Sequence, residues 1–335
     1  MKILIAASNM VHINNFHLPY IKAFKEAGNE VYVMASGEGA DFDIPFKKRA
    51  LSLGNYRLSK KIRRIIKEGS FDVIFLHTTL AAFWVRYALK GLKQRPRVIN
   101  TVHGYLFGKS SSWLHNLIYL RLEKGMRKQT DNIIVMNDED YQIAKKNNLS
   151  LEKTVKIDGM GFNPPMLEYQ EKNGKSLTFI GEISKRKNQT FLIKALRLLP
   201  EYNLTLVGDG KERASAEKLA KKEKVASRVR ITGYTKDISS YLKNTDVYVS
   251  ASKIEGLPFN VLEAMSVGLP IVASDIKGHS DLLSENCLFE LDNVKDFVDK
   301  VREKSLKKTE YNIAPYLFEN AFFKNMRIYT DLMNQ

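Results

Sequence analysis

The stretch Asp246-Val-Tyr-Val-Ser-Ala-Ser-Lys-Ile-Glu-Gly-Leu-Pro-Phe-Asn-Val-Leu-Glu-Ala-Met-Ser-Val-Gly-Leu-Pro-Ile-Val-Ala-Ser274 begins and ends in short apolar runs rich in β-branched residues. Between them lies a segment of helical length. Runs that read as continuous Val/Ile/Leu are buried on both faces, as parallel strands between helix layers are. Asp246 to Ser250 and Pro270 to Ser274 are therefore expected as neighbouring strands joined by a crossover helix. Pro258 suits the first helical position, where a missing N–H costs nothing, and Gly268 with Pro270 suits the stop.

The same rhythm extends outward in both directions. The front half offers strand candidates at Lys2 to Ala7, Glu30 to Ala35, Asp72 to His77, Arg97 to Val102 and Asn132 to Met136. The back half adds Ser176 to Gly181, Asn203 to Gly208 and Arg228 to Gly233 to the two already quoted. Each is followed by a segment of helical period, so the fold class is α/β with two doubly wound, Rossmann-like parallel sheets. Gly159-Met-Gly-Phe-Asn-Pro-Pro165 stops regular structure and marks the linker, with the polar tract Glu168 to Lys175 behind it. The expected domains are residues 1–163 and 164–311. Residues 312–335 hold an aromatic-rich helix expected to pack back on the first domain.

Composition narrows the class of protein. With 44% hydrophobic and 27% charged residues among 335, the chain can build sizeable cores, and disordered or collagen-like readings fall away. No stretch approaches the roughly 18 uncharged apolar residues of a membrane helix, and Ile3 to Ala7 is shorter than the roughly 7 to 15 apolar residues of a secretory leader. A cytosolic protein is expected. The single cysteine, Cys287, excludes an intrachain disulfide and a thiolate metal cluster. Of the net charge of +16, residues 1–163 carry 26 Lys+Arg against 14 Asp+Glu, and residues 164–335 carry 27 against 23. The front half is the basic half, and such a surface suits nucleic acid, an anionic membrane or a phosphorylated substrate.

In open parallel sheets ligands bind beyond the carboxyl ends of the strands, and the informative residues fall there. Glu255 precedes the Pro258 helix and Glu263 lies inside it, with seven residues between them. A helix start near Leu257 and Phe259 is a natural seat for phosphate, and carboxylates beside it can accept hydrogen bonds from sugar or ribose hydroxyls. An ordinary crossover helix with two solvated glutamates fits the same spacing. Phe179-Ile-Gly-Glu-Ile-Ser-Lys-Arg-Lys-Asn188 ends a strand in Gly181 and follows it with Lys185, Arg186 and Lys187, cations able to neutralise a diphosphate or simply to form a wet surface turn. Thr101-Val-His-Gly104 places His103 just after a strand, as a functional imidazole or a structural one.

Taken together these residues resemble glycosyltransferase family four, the large retaining family with the two-domain GT-B fold. Glu-Gly-Leu-Pro-Phe-Asn-Val-Leu-Glu-Ala-Met over 255–265 matches its most diagnostic motif. Val207-Gly-Asp-Gly210, Ile231-Thr-Gly-Tyr-Thr-Lys-Asp237, Thr245 to Ser252 and Gly278-His-Ser-Asp-Leu282 support it. Phe16-His-Leu-Pro-Tyr-Ile-Lys-Ala-Phe-Lys25 and Thr101-Val-His-Gly104 look like members that build capsules and exopolysaccharides. The resemblance implies two lobes facing across a cleft and a nucleotide-sugar donor, UDP-linked, without a metal or other cofactor. It implies donor binding by Gly181, Arg186, Lys187, Tyr234, Gly256, Leu257, Phe259 and Glu263, with Glu263 on the ribose, Lys187 on the diphosphate and Tyr234 near the base. Glu255 would contact the donor sugar, and His103 would act beside the reacting phosphate from the other lobe. Where many members carry an arginine after Gly181 this chain has Glu182, so Arg186 or Lys185 takes its place. The acceptor implied is a lipid-diphosphate-linked saccharide at an anionic membrane surface.

Other readings are weaker. Asp41-Phe-Asp43 and Asp138-Glu-Asp140 have the form of a metal-binding Asp-x-Asp, yet neither follows a nucleotide-binding strand and both suit turn or helix-start charges. No Gly-x-Gly-x-x-Gly follows the first strand, which removes a dehydrogenase. A nonhydrolysing sugar-nucleotide epimerase shares the architecture. Arg57 to Lys67 places Leu58, Ile62, Ile65 and Ile66 on one helical face with cations elsewhere, as a crossover helix or a nucleic-acid or membrane surface would. No nucleic-acid partner is expected.

Overall fold

The computed structural model describes residues 1–47, 52–167, 175–304 and 308–335. They form two compact units, one of Met1–Gly161 with Phe318–Gln335 and one of Phe162–Leu317. Most of the polar tract Glu168 to Lys175 lies outside the described residues.

The first unit runs β1 (Lys2–Ala6), α1 (Met10–Phe16), α2 (Leu18–Glu26), β2 (Glu30–Ala35), β3 (Phe42–Asp43), α3 (Leu53–Gly69), β4 (Val73–His77), α4 (Thr79–Leu89), β5 (Arg97–Val102), α5 (Trp113–Lys124), β6 (Asn132–Val135), α6 (Asp138–Lys146) and β7 (Thr154–Lys156). Its strands make a seven-stranded sheet in the order β3-β2-β1-β4-β5-β6-β7. Every pairing is parallel, with Ile3 beside both Val31 and Val73. All five residues of β4 are buried, as a strand covered by helices on both faces must be. Side-chain caps start the helices: Asn9 accepts from the His12 N–H at 3.0 Å, and Asn137 from Asp140 at 2.8 Å. Helix α3 buries Ile62 and Ile66 in the core beneath it while Lys60, Lys61 and Arg64 stay exposed, the pattern of a crossover helix with a charged outer side.

The second unit runs β8 (Ser176–Ile180), α7 (Gln189–Ala195), β9 (Asn203–Val207), α8 (Arg213–Lys222), β10 (Val229–Ile231), α9 (Ser239–Lys243), β11 (Val247–Ser250), α10 (Phe259–Val267), β12 (Ile271–Ser274), β13 (Leu288–Phe289) and α11 (Val294–Glu303). Its sheet has six parallel strands in the order β10-β9-β8-β11-β12-β13. Phe179, Leu204, Leu206, Val249 and Phe297 build the core between sheet and helices. The strand order reverses between β1 and β4 in one sheet and between β8 and β11 in the other. At such a switch point the connections leave to opposite sides and open a crevice at the carboxyl ends.

The last helix, α12 (Phe318–Met333), belongs to the first unit. Asn325 Nδ2 donates to the Gly159 carbonyl at 2.7 Å and to the Tyr20 hydroxyl at 3.0 Å, and that hydroxyl donates to the Met160 carbonyl. The Tyr329 ring packs edge-on to Phe75 at 5.2 Å. Among the described residues no helix is long and apolar enough to cross a membrane.

Candidate functional site

The switch point of the second sheet gathers most of the expected donor-side residues. Lys187 follows β8 and is buried apart from 8% of its surface, and Glu255 follows β11 and is buried to 7%. Lys187 Nζ donates to Glu255 Oε1 at 2.6 Å, and Arg186 Nη1 donates to Glu255 Oε2 at 2.9 Å and to the Ile254 carbonyl at 3.1 Å. The Lys253 N–H donates to the Arg186 carbonyl at 2.8 Å, which ties the two loops together through backbone as well. Burial alone would push the Glu255 carboxyl up; the Lys187 ammonium and the Arg186 guanidinium outweigh it and bring it down to about 2. One carboxylate here meets two cations, so the group keeps an excess positive charge.

Close backbone packing sets the loops. A Cβ on Gly208 would lie 2.0 Å from the Gly181 carbonyl oxygen, so only glycine lets the loop after β9 approach the loop after β8. A Cβ on Gly278 would lie 2.8 Å from the Gly256 carbonyl oxygen and 3.0 Å from Glu255 Cβ. Beside it the buried His279 Nδ1 faces the Ser274 carbonyl at 2.8 Å. A carbonyl only accepts, so the proton sits on Nδ1, and Nε2 accepts from the Ser250 hydroxyl at 3.2 Å.

Helix α10 starts one residue later than the sequence suggests. Pro258 is its N-cap, in extended conformation, rather than its first helical residue. Asn260 in the first turn donates to the Ile180 carbonyl at 2.9 Å and to the Tyr248 hydroxyl at 2.7 Å, anchoring the helix start to the end of β8. Leu257 is buried, and the Phe259 ring meets Phe162 edge-on at 6.4 Å. Glu263, on the same helix, is half-buried and among the described residues has no ion-pair partner; burial pushes its carboxyl up to about 7. The two glutamates of the motif thus have opposite electrostatics. Tyr234 lies on the loop after β10, 78% exposed, outside the hydrogen bonds that join Arg186, Lys187 and Glu255. Glu182 and Lys185 are exposed.

The switch point of the first sheet holds something else. His103 follows β5, and its Nε2 lies 3.2 Å from Nδ1 of His77, the last residue of β4. His12 on α1 and His17 at its carboxyl end join them, with the His17 and His77 rings 3.8 Å apart and the His12 and His103 rings 4.7 Å apart. One ring nitrogen from each of the four lies within 4.8 Å of one from every other. Burial lowers His12 to about 4 and holds His17, His77 and His103 well below the ordinary imidazole value, so all four rings are neutral at pH 7. The sequence reading assigned no metal ligand and singled out only His103. The other three were readable only as the first helix after β1 and the end of β4, since the parallel register that joins those strands is not visible in a linear pattern.

The acidic pairs serve structure. Asp41 accepts from the Val33 N–H at 2.7 Å and Asp43 from the Gly37 N–H at 3.1 Å. Asp140 accepts from the Tyr105 N–H at 3.0 Å, fixing the loop that follows His103, and Asp138 pairs with Lys156 at 2.6 Å.

Comparison with known proteins agrees with the fold. Residues 168–313 match the family model described as glycosyl transferases group 1, and residues 20–155 match that of glycosyltransferase family 4. The chain is 31% identical over 309 residues to the protein named "Putative glycosyltransferase EpsD" of Bacillus subtilis, covering 85% of this chain and 81% of that one. It is 27% identical over 282 residues to the UDP-Gal:alpha-D-GlcNAc-diphosphoundecaprenol alpha-1,3-galactosyltransferase of Escherichia coli, covering 77% and 73%. Among solved structures, HepE of Anabaena in complex with UDP and glucose shares the fold over the full length of both chains, with a TM-score of 0.75 at 18% identity. Matching motifs, two doubly wound sheets and these relatives together place the chain in glycosyltransferase family four, as a glycosyltransferase of the GT-B fold.

Proposed function

We propose that the enzyme moves a sugar from a UDP-sugar to a lipid-diphosphate-linked saccharide during capsule, exopolysaccharide or O-antigen synthesis, with retention of anomeric configuration. The observation that carries this reading is the charge group at the second switch point, where Arg186 and Lys187 share the single carboxylate of Glu255 at 2.9 and 2.6 Å. Breaking the bond from the anomeric carbon to a nucleotide diphosphate builds negative charge on the leaving phosphate. Two cations beside the amino terminus of α10 are suited to meet it, and they supply that charge without a divalent ion. Glu255, held ionised, accepts hydrogen bonds from sugar hydroxyls, and Glu263 accepts from the ribose. Gly181, Gly256, Leu257 and Phe259 shape the donor seat with them. His103 takes part in transfer through its neutral ring, and the acceptor hydroxyl attacks on the face that the phosphate leaves. The Escherichia coli relative, whose name specifies a UDP-sugar and a diphosphoundecaprenol-linked acceptor, supports the choice of both substrates.

The membrane half of the reading rests on α5. Trp113, Leu114, Leu117 and Ile118 are 76, 52, 42 and 50% exposed along one side of this helix, and Lys109, Arg121 and Lys124 are exposed on and beside it. An apolar ridge with cations at its margin suits an anionic leaflet, where each Lys or Arg adds about 1 kcal/mol.

Calorimetry against UDP-, GDP- and ADP-sugars tests the donor. Tight binding is expected for a UDP-sugar alone, and Lys187→Ala should weaken UDP by roughly 10- to 100-fold, the loss of one charge-assisted contact. Unchanged UDP affinity in that variant removes Lys187 from the diphosphate. Sedimentation with vesicles tests the surface: Trp113→Ser should cut binding to phosphatidylglycerol vesicles several-fold and leave the fold unchanged, whereas equal binding of both proteins discards the α5 face.

A further inference from the structure

From the four imidazoles at the carboxyl ends of β1, β4 and β5 we infer a binding site for one divalent transition-metal ion of the zinc class, with His12, His17, His77 and His103 as its donors. Four of the six histidines of the chain meet here, brought from three separate strand ends by the parallel register of the first sheet. A tetrahedral ion with metal–nitrogen bonds of about 2.0–2.1 Å needs its donor atoms roughly 3.3 Å apart. His77 Nδ1 and His103 Nε2 already stand 3.2 Å apart, and the four nitrogens lie within 4.8 Å of one another. Side-chain rotations that move each nitrogen by about an ångström close the set around one ion, well within rotamer freedom.

Two further observations point to a ligand. Nε2 of His17 is buried with no hydrogen-bond partner in a residue only 1% exposed, and Nε2 of His12 is buried without a partner as well. Burying a ring nitrogen unpaired costs free energy, and a metal ion beside it converts that cost into a bond. Nitrogen-only donors favour zinc, copper, nickel or cobalt over the hard cations magnesium and calcium, which take oxygen. Bound there, the ion would pin α1 to the ends of β4 and β5. Where His103 serves transfer, as proposed above, ion and donor compete for its ring; the binding test below stands apart from that reading.

The tag-free full chain, stripped with chelator, is titrated with Co(II) and then Zn(II). One equivalent of Co(II) should give the intense visible bands of a tetrahedral site, Zn(II) should displace it, and either ion should raise the melting midpoint. His17→Gln and His77→Gln should each lower affinity by at least about 10-fold, since loss of even an outer-shell partner costs that much. His115→Gln, whose ring stacks on Tyr119 away from the cluster, should match the wild type. If circular dichroism shows that either buried variant has lost its fold, His12→Ala at the partly exposed position replaces it. No stoichiometric binding by the wild type, or unchanged affinity in the folded cluster variants, overturns the assignment.

Discussion

The two switch points of this molecule solve the burial of ionisable groups in opposite ways. In the second unit Glu255 is buried with its charge, because Lys187 and Arg186 stand against it at hydrogen-bond distance. In the first unit four imidazoles are buried without countercharge and give up their charge instead. The same topology therefore produces an ionic seat in one sheet and a neutral, lone-pair-rich one in the other. What differs is only the residue types at the strand ends, which is why one fold can present two distinct chemistries.

Removing Glu255 is the severest way to break this contrast. Glu255→Ala should lower sugar transfer by 10²-fold or more, comparable to the loss of one preorganised electrostatic partner. It leaves Lys187 buried without its partner, so a stability loss of about 3 kcal/mol should accompany it in urea unfolding. Full transfer activity in the folded variant would sink the assignment of Glu255 to the reaction. The wild-type pair has an acid signature as well. The Glu255 carboxyl sits at about 2 against an ordinary 4.5, so its contribution is complete above pH 4.5 and is lost as pH falls toward 2.

Glu263 sharpens the comparison inside one helix. Its carboxyl is raised to about 7, so the folded protein holds a proton that the unfolded chain releases near 4.5. The favourable contribution is complete below pH 4.5 and fades as pH rises through 7. Glu263→Gln should therefore be more stable than the wild type at pH 8, by up to about 3 kcal/mol, with the difference vanishing below pH 4.5. A parallel pH dependence in the two proteins would show that the carboxyl is not held in the protonated form. The smallest effect belongs to the first unit. In metal-free protein, His17→Phe should change stability by no more than about 1 kcal/mol, because Nε2 has no partner to lose. A loss of several kcal/mol would show that the ring is paired after all.

The alternation of apolar runs located ten of the strands to within a residue or two at each end, because parallel strands buried on both faces leave an unbroken signal. The short edge strands β3, β7 and β13, two or three residues each, carry too few side chains to register. Glu255, Glu263 and Lys187 stood out because two of them share one helix–loop motif and the third follows a strand end directly. The link between Lys187 and Glu255 spans 68 residues, and no periodicity predicts it. Pro258 shows the limit of local rules: a proline is equally at ease just before a helix as at its first turn, and the structure chose the former. The histidine cluster needed three-dimensional register, since His12 and His103 are neighbours only once β1, β4 and β5 are laid side by side.

The return of α12 to the first unit also bears on how the chain is made. Tyr20, Phe24 and Phe75 find their aromatic partner Tyr329 only after the whole second unit has been synthesised. During translation the earlier lobe must wait, with an apolar seam uncovered, for residues more than 300 positions behind Tyr20 to leave the ribosome. Nascent chains halted before residue 318 should therefore be the ones that chaperones hold longest.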